Sequence, residues 1–133
     1  MEDKNIKFLL VEDDPMIWDL YEQAFRLKGY TIEVAVDGDE AIKKLDTMDE
    51  LPSLVLLDIM MPKVDGLDVL RHIKASNKLK GITVVMLTNL SESKSVEEAL
   101  KLGAVRYLVK QDYTPNEIVG QVEDVIAQNF KSK

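Results

Sequence analysis

Cysteine is missing from this chain of 133 residues. Disulfides, thiolate metal sites and cysteine nucleophiles are therefore excluded, and the absence fits a reducing cytoplasm. Apolar runs long enough to cross a bilayer are missing too. The opening Met1-Glu2-Asp3-Lys4-Asn5 has neither the basic nor the apolar part of a signal peptide. Internal repeats, low-complexity segments and Gly/Ser/Pro-rich linkers do not occur. Positive charge is scarce: 17 Lys and Arg stand against 24 Asp and Glu, a formal net charge of −7. A phosphate polyanion is repelled by such a molecule as a whole, which argues against direct nucleic-acid binding. The single histidine, His72, lies mid-helix between Arg71 and Ile73 and reads as a surface residue. What remains is 46% hydrophobic and 31% charged, the composition of one ordinary water-soluble domain over 1–133.

Apolar runs alternate with stretches of helical period, the sequence form of an α/β fold. Residues 6–11 predict the first strand. Asp14-Pro15 supplies an N-cap with proline at the first helical position, and Gly29 stops that helix after Lys28. Residues 31–36 alternate, with Ile32, Val34 and Val36 on one side, as an edge strand does. Asp37-Gly38 opens a second helix through Asp46. Residues 53–57 form a continuous apolar strand, and Asp65-Gly66 introduces a helix to Ala75, with Gly66 in a turn that suits positive φ. Residues 82–87 are the next strand, and Ser91 or Ser93 caps a helix ended by Gly103. The last strand is 105–109, and Thr114-Pro115-Asn116-Glu117 is a capping box that opens the final helix.

The first, third and fourth strands do not alternate and belong in the centre of a parallel sheet covered on both faces. A single doubly wound five-stranded sheet in the order 2-1-3-4-5 satisfies this with right-handed crossovers, the order itself being partly borrowed from known flavodoxin-like proteins. In such a sheet the ligand site lies beyond the strand carboxyl ends, between the first and third strands. Glu12 and Asp13 follow the run Phe8-Leu9-Leu10-Val11, and Asp58 follows Leu54-Val55-Leu56-Leu57. All three carboxylates then gather at one edge. A pair of unit charges about 4 Å apart repels by roughly 4 kcal/mol at an effective dielectric near 20. The cluster must take up protons or hold a hard divalent cation. Thr88 and Lys110 end the fourth and fifth strands in equivalent positions. Asp14 reads as a helix cap and Asp112 as a solvated loop carboxylate.

With these motifs in place, the sequence resembles the receiver domain of two-component response regulators. The likeness runs through Val11-Glu12-Asp13-Asp14-Pro15, Leu57-Asp58-Ile59-Met60-Met61-Pro62-Lys63-Val64-Asp65-Gly66, Met86-Leu87-Thr88 and Tyr107-Leu108-Val109-Lys110. It implies that Asp58 accepts a phosphoryl group from a phosphohistidine on a sensor histidine kinase or a histidine phosphotransfer protein. It implies that Asp13, Asp58 and the backbone carbonyl of Met60 bind Mg²⁺, with Glu12 holding a metal-bound water. Thr88 and Lys110 would contact the phosphoryl oxygens. As a switch, Thr88 would move toward that group and Tyr107 would turn inward behind it, remodelling a face that binds a downstream protein or a phosphorylation-dependent second copy. Such a domain is a cytoplasmic phosphoacceptor rather than an enzyme.

Two departures from the family pattern stand out. Receivers commonly carry proline after the lysine, often with a cis bond, whereas here Gln111 follows Lys110. A cis bond before a residue other than proline costs about 2.5–4 kcal/mol, so a trans bond is expected. Met60 and Leu90, each two positions past a site residue, are both apolar and could shield an acyl phosphate from water. The first helix carries Met16, Ile17, Trp18, Leu20, Tyr21, Ala24, Phe25 and Leu27, more apolar surface than one buried stripe needs. Either this is a thick core contact with Trp18 partly covered, or it is a docking patch for the phosphodonor beside the acidic loop, the reading favoured here. After Phe130-Lys131-Ser132-Lys133 no output domain follows, leaving open a stand-alone receiver or a piece of a longer protein.

Three other classes fit less well. An aspartate-nucleophile phosphohydrolase places its nucleophile after the first strand with a second aspartate two residues on, unlike Glu12-Asp13-Asp14-Pro15. A flavodoxin-type nucleotide binder needs a first loop that cradles phosphate, and this one is acidic. A pseudo-receiver, binding partners without phosphorylation, would have a degraded site.

Overall fold

Five parallel strands and five α-helices alternate along the chain in a computed structural model that describes residues 6–89 and 93–130. In chain order they are β1 (Lys7–Val11), α1 (Pro15–Leu27), β2 (Thr31–Ala35), α2 (Gly38–Thr47), β3 (Leu54–Asp58), α3 (Gly66–Ala75), β4 (Thr83–Thr88), α4 (Ser93–Leu102), β5 (Arg106–Val109) and α5 (Pro115–Phe130). The sheet order is β2-β1-β3-β4-β5. Pairing Val11 with both Ala35 and Leu57 aligns the carboxyl ends of β1, β2 and β3 at one edge. Asp58 then sits opposite Leu87, and Thr88 opposite Val109.

Strand alternation divides the interior into two layers. Leu9, Val11, Val55, Leu57, Val84 and Met86 pack against α2, α3 and α4. Phe8, Leu10, Leu54, Leu56, Val85, Leu87 and Leu108 pack against α1 and α5. β2 lies at the edge, as its pattern predicts, but it ends at Ala35. Ala35 is buried and Val36 is exposed, the reverse of the expected alternation there.

The helix starts follow the local chemistry. Asp14 caps α1 by accepting from Met16 N–H at 3.0 Å. Asp37 caps α2, and Thr114 and Glu117 exchange backbone-to-side-chain bonds at the start of α5. Gly29 and Gly103 stop α1 and α4 with φ of 91° and 115°. Of the two expected caps of α4, Ser93 is its first residue and Ser91 lies outside the described residues. At the lower end of α1, Phe8, Phe25 and Tyr30 stack with centroid separations of 5.1–6.2 Å. The Tyr30 hydroxyl bonds Glu123 of α5 at 2.7 Å. This fixes α1 against the sheet and so fixes the acidic loop that precedes it.

The turn before α3 corrects one expectation. Gly66 does not have positive φ; Lys63 does, at 66°. Gly66 is required by contact instead, because a Cβ there would stand 2.2 Å from the Asp58 carbonyl oxygen. Its N–H bonds Ile59 O at 2.9 Å, and Asp65 caps α3 in a reciprocal box with Asp68. His72 is also more than a surface residue: it is half-buried and bonds Asp46 of α2 at 2.9 Å. The two glycines Gly66 and Gly120 therefore predict opposite outcomes. Gly66→Ala should cost about 2–4 kcal/mol in urea unfolding through overpacking. Gly120→Ala, inside α5 where an added Cβ meets nothing, should gain about 0.5–1 kcal/mol.

Candidate functional site

Among the described residues, the buried polar and charged side chains are Glu12, Asp58, Thr88 and Lys110, all at the carboxyl edge of the sheet. A core spends nothing on buried charge unless the charge is paired or used. Asp13 is exposed at the mouth of the same pocket. One carboxylate oxygen each from Glu12, Asp13 and Asp58 lies within 4.8 Å of the others. Sequence-distant segments are thus brought together as the strand ends predict.

Parity explains which side each group approaches from. Glu12 continues the series Phe8, Leu10; Asp58 continues Leu54, Leu56; Lys110 continues Leu108. These three lie on the α1/α5 side. Thr88 continues Val84, Met86 and lies on the α3/α4 side. A group on Asp58 is therefore flanked by an ammonium on one side and a hydroxyl on the other.

The Lys110 side chain crosses the top of the sheet to Glu12, with Nζ 2.5 Å from Oε1, and stands 3.4 Å from Asp58 Oδ1. The other Glu12 oxygen accepts from Asp14 N–H at 3.1 Å. Asp58 Oδ1 accepts from Met60 N–H at 3.3 Å. The segment after Lys110 forms a 3₁₀ turn, Lys110–Asp112, with trans peptide bonds, so Gln111 leaves the reach of the lysine intact. Asp112 is exposed, as expected for a loop carboxylate.

Burial raises the Asp58 carboxyl from its ordinary 3.8 to about 7; the Glu12 charge adds to this, and Lys110 and the Met60 N–H oppose it. With Asp58 ionised, three carboxylates, two of them buried, stand against one ammonium. The donor set is all oxygen, with one exposed member for entry. That fits a hard divalent cation, which takes oxygen ligands and keeps several waters. Thr88 is buried, and Met60 is exposed at 54%. Leu90 lies outside the described residues. The pattern of strand ends did not pick out Tyr21. This buried α1 residue has its phenol pushed up to about 12 by burial and by the charges of Glu12 and Asp58. The signal was a hydroxyl-bearing residue on the core stripe of α1.

Comparison with known proteins agrees with this geometry. The family model described as response regulator receiver domain matches residues 8–123. The alkaline phosphatase synthesis transcriptional regulatory protein PhoP of Bacillus subtilis is 33% identical over 125 residues, covering 94% of this chain and 50% of that protein. The chain spans about half the length of the curated relatives it matches. Among solved structures, the phosphorylated cyanobacterial phytochrome response regulator RcpA superposes with a TM-score of 0.81 at 26% identity, covering 96% of each chain. The receiver domain of the Francisella response regulator 1452 gives 0.81 at 28% identity, covering 93% of this chain and 98% of that one.

A buried carboxyl raised to about 7 ties stability to pH. Its folded value exceeds the unfolded value of about 3.9, so the stabilisation from its proton is complete below about pH 4 and is lost as pH rises through about 7. Asp58→Asn should therefore raise metal-free stability by about 2–4 kcal/mol at pH 8, and the gain should shrink toward zero near pH 4. Urea melts of both proteins across this range measure it.

Proposed function

The chain belongs to the response regulator receiver domain family, and from that premise we propose that Asp58 is its phosphoacceptor, charged by a phosphohistidine of a sensor histidine kinase or histidine phosphotransfer protein. Receiver domains are phosphoacceptors of two-component systems, and phosphorylation-dependent switching is their general role. The observation that carries the assignment to Asp58 is that it is buried, lies beside Lys110, and shares an oxygen cluster with Glu12 and Asp13. The domain so defined extends over 1–133 and acts in the cytoplasm. No described helix is long and apolar enough to cross a membrane.

Receiver domains generally bind Mg²⁺ at an acidic pocket, and the cluster here is compatible with that ion. Asp13, Asp58 and the Met60 carbonyl would hold it, with Glu12 acting through water. When bound, Mg²⁺ supplies positive charge that offsets the repulsion between these carboxylates and an incoming phosphate. In the transfer, an Asp58 oxygen attacks phosphorus. The P–O bond forms as the P–N bond breaks, and the imidazole leaves with the electron pair and takes up a proton. Such a reaction needs positioning and charge neutralisation of the equatorial oxygens more than covalent help. Lys110 gives up Glu12 to meet one phosphoryl oxygen, and Thr88 donates to another from the opposite side of the sheet.

The switch follows from those two contacts. A reversal from about 1:99 to 99:1 needs roughly 5.5 kcal/mol, and hydrogen bonds to a charged group contribute about 1.5–3 kcal/mol each. Thr88 ends β4 opposite Val109, and Tyr107, 39% exposed on β5, pairs with Met86 two residues earlier. Leu100 and Val105 are exposed nearby. Tyr107 turning inward behind a displaced Thr88 would reshape this α4–β5–α5 surface for a downstream protein or a second copy.

The donor side is α1. Trp18 is half-buried and packs on the α1/α5 core, as the core-contact alternative expects. Met16, Leu20 and Leu27 share one helix stripe and are 76%, 50% and 85% exposed. The stripe starts beside Asp13 and would seat the phosphodonor.

Incubation with acetyl phosphate and Mg²⁺, read by intact mass, should add one phosphoryl group to the wild type and none to Asp58→Asn. Equal labelling of both overturns the assignment. Alanine at Met16 and Leu20 together should slow transfer from a phosphorylated histidine phosphotransfer protein about tenfold and leave the acetyl phosphate rate unchanged, as loss of roughly 1.4 kcal/mol of docking energy would. Tyr107→Ala should blunt target binding while phosphorylation persists.

A further inference from the structure

We infer that the Tyr21 hydroxyl is a positioning group for the acidic pocket, donating to Glu12 when Lys110 leaves it for the phosphoryl group. The inference rests on the phosphoacceptor reading above.

The geometry begins with parity. Glu12, Asp58 and Lys110 all lie on the α1/α5 side of the sheet, directly above Leu10, Leu56 and Leu108. Tyr21 belongs to that same layer and is only 5% exposed. Side chains of a helix lean back toward its N-terminus, and the N-terminus of α1 is the acidic loop itself. The phenol therefore rises from the core toward the underside of the pocket. Its response to the Glu12 and Asp58 charges agrees with that placement. The other buried tyrosine of the layer, Tyr30, has its hydroxyl on Glu123 at 2.7 Å. Among the described residues, no protein group accepts from the Tyr21 hydroxyl, which is not sealed from solvent.

Glu12 supplies the need. It is 1% exposed, with one oxygen on Lys110 and the other on Asp14 N–H. When Lys110 turns to a phosphoryl oxygen, a buried carboxylate loses its direct countercharge. An anion buried without a donor is costly. The Tyr21 phenol, held protonated by the same surroundings, can only donate to an anion. It lies on the correct side of the sheet to take the vacated place. The resting protein leaves this donor to water, and the loaded protein turns it to Glu12.

The test uses the full chain and beryllofluoride with Mg²⁺ as the phosphoryl analogue. Tyr21→Phe should weaken analogue binding about tenfold, the size of one hydrogen bond to a charged group. It should leave the metal-free melting temperature within about one degree, since no resting bond is lost. The tyrosine ring ¹³Cζ resonance of Tyr21 in the wild type should shift on analogue binding, and that shift should disappear in Glu12→Gln. A mere packing role moves the melting temperature and not the resonance. Unchanged analogue affinity in Tyr21→Phe, or a resonance shift that survives in Glu12→Gln, overturns the role of Tyr21. If wild type forms no acyl phosphate with acetyl phosphate, the phosphoacceptor reading and this inference fall together. If it forms one while Tyr21→Phe matches it in every readout, only the inference falls.

Discussion

Repulsion among Glu12, Asp13 and Asp58 is the constraint on which the rest of this molecule depends. Their oxygens meet within 4.8 Å while two of the three residues are all but excluded from water. No arrangement of carboxylates is less comfortable without a cation. In the resting chain the discomfort is shared three ways. Lys110 binds Glu12, a backbone N–H binds Asp58, and Asp58 tends to keep a proton at neutral pH. On the function proposed above, two of these are replaced by something that arrives: a divalent cation for the proton, a phosphoryl oxygen for the partner of Lys110.

The fold exists to hold that tension. Two apolar layers, one under α1 and α5 and the other under α2, α3 and α4, clamp five parallel strands so that their ends align. The aromatic stack of Phe8, Phe25 and Tyr30 anchors the far end of α1. Gly66 lets the β3–α3 turn close against the Asp58 carbonyl. With the backbone so fixed, Asp58 cannot relieve repulsion by swinging into solvent. Ligand-driven charge balance becomes the available route, and on the function proposed above it couples the pocket to Thr88 and so to β5.

Much of this was legible in the chain. Continuous apolar runs ending in Glu12-Asp13, Asp58, Thr88 and Lys110 marked the central strands and the candidate site, because parallel strands bury both faces and expose their ends, while the sheet order was partly borrowed from known flavodoxin-like proteins. Caps at Asp14, Asp37, Asp65 and Thr114 were readable because capping is local chemistry. Contacts between distant segments were not. Gly66 looked like a positive-φ turn when it is a steric requirement. The apolar surplus of α1 was legible, but not which part the core takes: Trp18 packs inward while Met16, Leu20 and Leu27 stay outside. His72 finds Asp46 only once α2 and α3 are adjacent. Tyr21 gave no sign of its place because helix periodicity marks a buried position without saying what lies above it.

The most direct test is to count the protons released when Mg²⁺ binds. Calorimetric titrations in buffers of different ionisation enthalpy give that number. A carboxyl raised to about 7 should release about nine-tenths of a proton per Mg²⁺ at pH 6 and about one-tenth at pH 8, with affinity rising between them. Mg²⁺ binding without proton release at either pH, or no Mg²⁺ binding at all, would contradict a cation-seeking cluster centred on Asp58.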